Sequence, residues 1–578
     1  MPLAIELAAA RLRTMSPDQL ADRLDDRFRL LTGGSRTALP RHRTLRAVID
    51  WSWELLSDAE RVVLRRLSVF SGGAGLEAAG RVCGTGDVLD LLTALTEKSL
   101  VVTTDDGAPR YRMLGTIREY ARQRLDEAGE ADSTRRAHLA YFTELAETAE
   151  PLLRRAEQVH WLATLSAEHD NITAAMRGAL AAGEGHEAMR LAAGAGWYWW
   201  LGGHKSEGME LMTAAADLPG EVPDDVRATV YAVVSMFVNS GPSDERQSAE
   251  WIHRAYRLSR NVRVEHPGRA LVEAMERLLE SPAEALSAFE PALGDDDPWV
   301  RALARLQLGK MRVLFGQGSD AEEYLATALA EFRALGERFG ISFALTELAD
   351  LIALRGDLAV ACEHYEQAIT AVAEIGAADD VIRMRSRQAE LYWLLGDKDA
   401  STAAIAEAER YAVGVTWPGT LATLALSKAQ LARWSGAAEE ARRQLGVLAA
   451  VLGEEAERPI IRATTQSLLG ALADDLGESR EHRAAAVAAA TEAGHAPAIA
   501  EALVGVAELA LRREEDEQAA RLLAASAVVR GLPDRSHPDA LRIEETARRR
   551  LGDTRFTEAT REGAAADWPE LAAVTLAS

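Results

Sequence analysis

Apolar residues recur along this chain at intervals of three and four, the 3.6-residue period of helices with one packed face. The first such face, Leu3, Ile5, Leu7 and Ala8, begins with no Ser, Thr, Asp or Asn cap before it. Ser16, Pro17 and Gln19 then mark an ordinary capped start. Leu45, Val48, Ile49, Leu55 and Leu56 line a further helix, and Ser57 with Glu60 forms a capping box that opens the next. "LEAAGRVC" predicts a short helix after a glycine turn, and "DVLDLLTALTEKSL" places Val88, Leu91, Leu92 and Leu95 on one face. The pattern then turns extended in "LVVTT" and "RYRML", joined through an Asp106-Gly107 hairpin turn. Thr116 is expected to cap "IREYARQRL". Helices followed by a two-stranded wing predict a winged helix over residues 41–130.

Beyond it the helical pattern repeats. Gly316, Gly356, Gly396, Gly436 and Gly477 are spaced 40, 40, 40 and 41 residues apart. Small residues precede each by seven positions (Gly309, Ala349, Ala389, Ala429, Gly470), and Ala328, Ala368, Ala408, Leu448 and Ala489 follow by twelve. A sixth copy fits around Ala507, Glu514 and Ala519, with Glu514 in the turn position. The pattern resembles the tetratricopeptide repeat, in which small residues allow two helices to cross closely and a helix breaker makes the turn. The expected fold is mainly α: divergent helical repeats over 131–298, a tetratricopeptide-like α-solenoid over 299–565 and a tail at 566–578. Its groove is expected to take a protein or peptide.

Composition narrows the function classes. The 578-residue chain is 48% hydrophobic, 27% charged and carries a formal charge of -24, a balance that opposes nucleic-acid backbones unless one domain is locally basic. Over 41–127 acidic and basic residues nearly cancel. The helix before the hairpin offers Asp87, Asp90, Glu97 and only Lys98, and the wing tip is Asp105-Asp106. DNA contact is therefore not expected. Two distant cysteines, Cys83 and Cys362, fit a reducing cytoplasm and exclude a cysteine-based zinc site.

The stretch from "PLAIELAAARLR" through "TLRAVIDWSWELLSDAERVVLRRLSVFSGG", with "RMLGTIREYARQRL", "WLATLSAEHDNITAAMRGAL" and "GWYWWLGGHKSEGMELM" further on, resembles STAND-class bacterial transcriptional regulators of the SARP/LuxR kind. There it joins an NB-ARC nucleotide-binding module to a winged helix and a repeat sensor. The resemblance implies that residues 1–40 are a helical remnant of the NB-ARC module and that the chain is the C-terminal part of such a regulator. It also implies that Pro2 would lie against a nucleotide base. The family's phosphate-sensing Met-His-Asp motif falls on Met113, Leu114 and Gly115, where only the Met is kept. No G-x-x-x-x-G-K-[ST] loop occurs in the sequence. No enzyme activity or cofactor is expected, and ATP or ADP would enter only with an upstream NB-ARC core.

Trp197, Tyr198, Trp199 and Trp200 form the most unusual run; they either fill a junction between helices or line an effector surface. Glu168 to Asn171 ("EHDN") reads as a turn or hydrogen-bonding corner rather than a metal site. The leading expectation is a regulatory module whose repeat groove senses an inducer or protein, with an NB-ARC-containing regulator as partner and no membrane involved. The alternatives are a plain repeat scaffold and a winged-helix DNA-binding factor.

Overall fold

The computed structural model describes residues 45–104, 109–240, 245–260, 266–280 and 286–577. The expectations for residues 1–40, Pro2 and the Ser16 cap among them, and for the Asp106-Gly107 turn lie outside these. No described helix is long and apolar enough to cross a membrane. The described residues form two compact units. One holds the chain up to Thr148 with Thr164–Ala192 and Leu218–Glu221; the other holds Ala149–Ala163, Ala193–Asp217 and the chain from Val222 onward.

In the first unit, α1 (Leu45–Glu54), α2 (Asp58–Arg66), α3 (Leu76–Cys83) and α4 (Val88–Glu97) precede β1 (Val102–Thr104), β2 (Arg110–Arg112) and α5 (Gly115–Glu127). The capping box forms as the sequence predicts: the Glu60 N–H donates to Ser57 Oγ at 3.3 Å and the Ser57 N–H to the Glu60 carboxylate at 2.7 Å. Both strands are antiparallel, with Thr103 opposite Tyr111. Tyr111 also exchanges backbone hydrogen bonds of 2.9 and 3.0 Å with Ala74, which ties the wing to the α2–α3 connection. Val63, Leu64, Leu92, Leu95, Tyr120 and Ala121 are fully buried between the helices. The expected Thr116 cap is corrected. The helix starts at Gly115 with extended Leu114 before it, so Thr116 lies in the first turn and buries its side chain. Behind this core, His138 of the helix Ala131–Ala149 is packed edge-on against Phe70 at 5.0 Å and tilted against Phe142 at 4.7 Å.

In the second unit, six antiparallel helix pairs run from Pro298 to Arg530, beginning Pro298–Leu314 with Gly318–Leu335 and ending Ala496–Arg512 with Asp516–Arg530. The small positions do what their spacing predicts. Ala349, Ala389 and Ala429 are fully buried at the crossings, and a Cβ at Gly309 would lie 2.7 Å from Leu325. Gly316, Gly356, Gly396 and Gly436 each hold a positive φ in the intra-pair turn, and Glu514 takes the same left-handed conformation (φ 64°) in the sixth pair. Gly477 is the exception and is corrected. It sits inside the helix Leu476–Ala493, whose Asp475 cap accepts from the Glu478 N–H at 2.9 Å, so this turn needs no left-handed residue.

The array curls until its sixth pair meets its first. Arg535 donates its N–H to the Leu354 carbonyl at 2.8 Å. A Cβ at Gly316 would lie 2.2 Å from the Val529 carbonyl oxygen, and one at Gly531 would lie 2.0 Å from that of Gly316. This seam turns the solenoid into a ring. The chain then adds Pro538–Leu551, Asp553–Ala565 and Trp568–Ala577, whose Ile543, Phe556 and Ala572 are buried in one core with Leu503, Val506 and Leu522 of the sixth pair.

Candidate functional site

The ring forms a half-open cavity of about 500 Å³, lined by residues from Val313 to Arg542. Its apolar wall includes Leu426, Trp434, Leu468 and Val504. Six arginines and six carboxylates also face it, and helix pairing has placed nearly all of them opposite a partner. Arg387 bridges Asp350 at 3.3 Å and Glu390 at 2.7 Å, Asp350 accepts from the Tyr365 hydroxyl at 2.8 Å, and Glu390 accepts from Ser427 at 2.7 Å. Arg433 pairs with Asp539 at 2.8 Å, Arg530 with Asp534 at 3.4 Å, and Arg542 with Glu508. Burial disfavours the charged forms of both His537 and Glu501. Their 2.9 Å contact more than offsets it, raising the His537 pKa and, with Arg530 and Arg433, holding Glu501 at about 2.

Two arginines stand outside this pairing. Arg512 donates to the carbonyls of Ala473 and Asp474 at 3.1 and 2.6 Å. Arg483 is only 5% exposed and donates once, to the Ser467 carbonyl at 2.9 Å, while its Nε has no partner. Burial pulls its pKa down to about 10, although Glu501 and Glu508 act in the opposite direction. Two helical glycines make room for it. A Cβ on Gly505 would lie 2.3 Å from Arg483 Nη1, and one on Gly470 would lie 3.0 Å from its Cδ.

The first unit presents a different surface. On α4 the outward positions are Leu89, Asp90, Thr93 and Glu97, a face with no cation to meet phosphate. Lys98 is tied to the buried Glu60 carboxylate, and Arg110 of β2 clasps Glu168 at 2.5 and 3.0 Å. Met113 is half-buried beside a cavity of about 70 Å³ with Phe70 and Arg118, far below the 300 Å³ or more of a small-molecule site.

Residues 56–126 match the family model of a winged helix-turn-helix domain. A putative HTH-type transcriptional regulator of Mycobacterium tuberculosis is 45% identical over 217 residues, 36% of this chain and 24% of the relative. The regulatory protein AfsR of Streptomyces griseus is 26% identical over 386 residues, 64% of this chain and 37% of that protein. The chain thus spans about a quarter of the length of the mycobacterial regulators it matches. Among solved structures, a STAND protein with a tetratricopeptide repeat sensor from Pyrococcus horikoshii aligns over 80% of this chain and 74% of its own, with 14% identity and a TM-score of 0.37. The chain combines a winged helix-turn-helix domain with tetratricopeptide-like repeats and is similar to AfsR and HTH-type regulators.

Within the winged helix-turn-helix unit, the "EHDN" stretch forms the hydrogen-bonding corner that its sequence suggests. Asn171 accepts from the Ser71 N–H at 2.8 Å and donates to the Gly73 carbonyl at 2.9 Å, fixing the loop that carries the wing. Replacing Asn171 with Ala strands that loop N–H and carbonyl, and should destabilise the unit by about 2 kcal/mol, read as a lower urea midpoint for its transition.

The aromatic run is corrected as an effector surface. Successive helical residues point about 100° apart, and Trp197, Tyr198 and Trp199 are all buried, with Trp200 partly so. Trp197 packs against Trp299 and Phe339 at 5.7 and 5.9 Å, and Trp200 against Phe237 at 5.0 Å, under the Lys205 ammonium at 4.8 Å. These rings are junction filler and take no part in the ring cavity's lining. Cys83 and Cys362 are buried thiols that burial pushes up to about 12 and about 11. Sequence reading missed Arg483. Its one signal was the pair of glycines, Gly470 and Gly505, placed inside helices where glycine costs stability.

Proposed function

We propose that this chain is the non-catalytic sensing and interaction part of a STAND-type transcriptional regulator: its repeat ring takes up an inducer, and an NB-ARC-bearing regulator is the partner it acts on. The observation that carries this is the half-open cavity, whose charged lining is almost wholly paired. One helical turn, ~10 Å across and ~5.4 Å long, fills about 400 Å³. A half-open cavity of about 500 Å³ has room for little more than one such turn and suits a small molecule, which favours a sensor over a scaffold. The likeness to AfsR and to HTH-type regulators supports the regulatory setting.

A winged-helix DNA-binding role is disfavoured by the outward face of α4 and by the internal use of Lys98 and Arg110. No cofactor is assigned to the chain, and ATP or ADP enters only with an NB-ARC core. The test is capture. The immobilised chain should retain a separately expressed NB-ARC module of this regulator class at micromolar concentration. Failure to retain it, with retention of unrelated helical peptides, would make the chain a scaffold; a salt-sensitive shift of duplex DNA would make it a DNA-binding factor.

A further inference from the structure

We infer that the ring cavity is a binding site for a small organic anion, a carboxylate or phosphate monoester carried on an apolar body, with Arg483 as the residue that receives the charged group. This rests on the sensor reading above and names the class of its ligand.

The argument starts from electrostatic balance. Every carboxylate facing the cavity is already paired with a cation other than Arg483, Asp350 and Glu390 sharing Arg387, so none forms an ion pair with Arg483. The chain as a whole is strongly acidic, at -24, yet this one guanidinium is kept buried with a single carbonyl partner and an unsatisfied Nε. A buried charge without a counter-ion is expensive. Nothing in the packing compels that cost here, because Gly470 and Gly505 are shaped around the guanidinium and not around a smaller side chain. A planar fork with free N–H groups at the wall of a cavity matches a carboxylate or a phosphate. Leu468, Val504 and Trp434 of the same cavity supply an apolar surface for the remainder of the ligand. The volume matches one such molecule.

The test uses the full chain and three probes in calorimetry: 2-naphthoate, 2-naphthyl phosphate and neutral 2-naphthamide. Binding of at least one anion with tenfold or greater preference over the amide is expected, and the preferred anion separates a carboxylate ligand from a phosphorylated one. Arg483→Met should lose at least tenfold in affinity for that anion, with Arg483→Lys between the two. Without ligand, Arg483→Met should melt higher than the unaltered chain, because an uncompensated charge has been removed; a merely structural arginine would lower the melting point. Failure of every probe to bind, equal binding of the amide, or undiminished anion binding in Arg483→Met with an unchanged fold would each overturn the inference. The sensor reading falls separately, by failure of the NB-ARC capture, and Arg483-dependent anion binding would survive that result.

Discussion

Gly316→Ala should cost the repeat array about 3 kcal/mol. The residue holds φ +76°, and its new Cβ would press to 2.2 Å against the Val529 carbonyl oxygen, a backbone atom that cannot swing aside. Left-handed strain for a residue with a side chain contributes about 1 kcal/mol of that, and the forced separation of two packed segments contributes the rest. Gly396→Ala is the matched control. Gly396 has nearly the same φ, +81°, but no atom stands within 4 Å of its added Cβ, so it should lose only the backbone share. The two variants also differ in where they loosen the protein. Amide hydrogen exchange at Arg535, whose N–H is bonded to Leu354 across the seam, should speed up in Gly316→Ala and stay slow in Gly396→Ala. Equal costs and equal protection would mean that the seam contributes nothing to the ring.

The second large effect is acid sensitivity of the winged helix-turn-helix unit through His138. Burial between Phe70 and Phe142 lowers its pKa from 6.5 to about 4, so the folded unit keeps the ring neutral while the unfolded chain protonates it. Stability is therefore fully present above pH 6.5 and falls as the pH drops toward 4. At 1.36 kcal/mol per pH unit the loss reaches about 3 kcal/mol across that window. His138→Leu removes the titrating group and should flatten the decline, seen as a urea midpoint that changes little between pH 7 and 5 while the unaltered chain drops. An identical pH profile for both would place the acid-labile group elsewhere.

Local features of the fold were readable because they depend on residues three or four apart. Ser57 and Glu60 announce a helix start whatever surrounds them, and the turn glycines recur because each pair solves the same backbone problem. Glu514 shows the strength of the pattern: the turn is kept even where its glycine is not. The same logic failed at Gly477, where Asp475 supplies an alternative start, and at Thr116, where burial rather than capping claims the hydroxyl. The aromatic run misled for a related reason. Composition shows which residues are unusual, but only the packing of Trp197 against Trp299 and Phe339 decides that they face inward. The site itself was illegible. It exists because chain near Val529 returns to Gly316, more than 200 residues earlier, and no local period records such a return.

The seam has one more implication, for how such an array can change over time. Open solenoids lengthen or shorten by whole units, since each unit touches only its neighbours. A closed circle has no such freedom: inserting or deleting one forty-residue hairpin would carry Gly531 away from Gly316 and break the enclosure. Diversification of this protein should therefore proceed by exchanging side chains within a fixed number of hairpins.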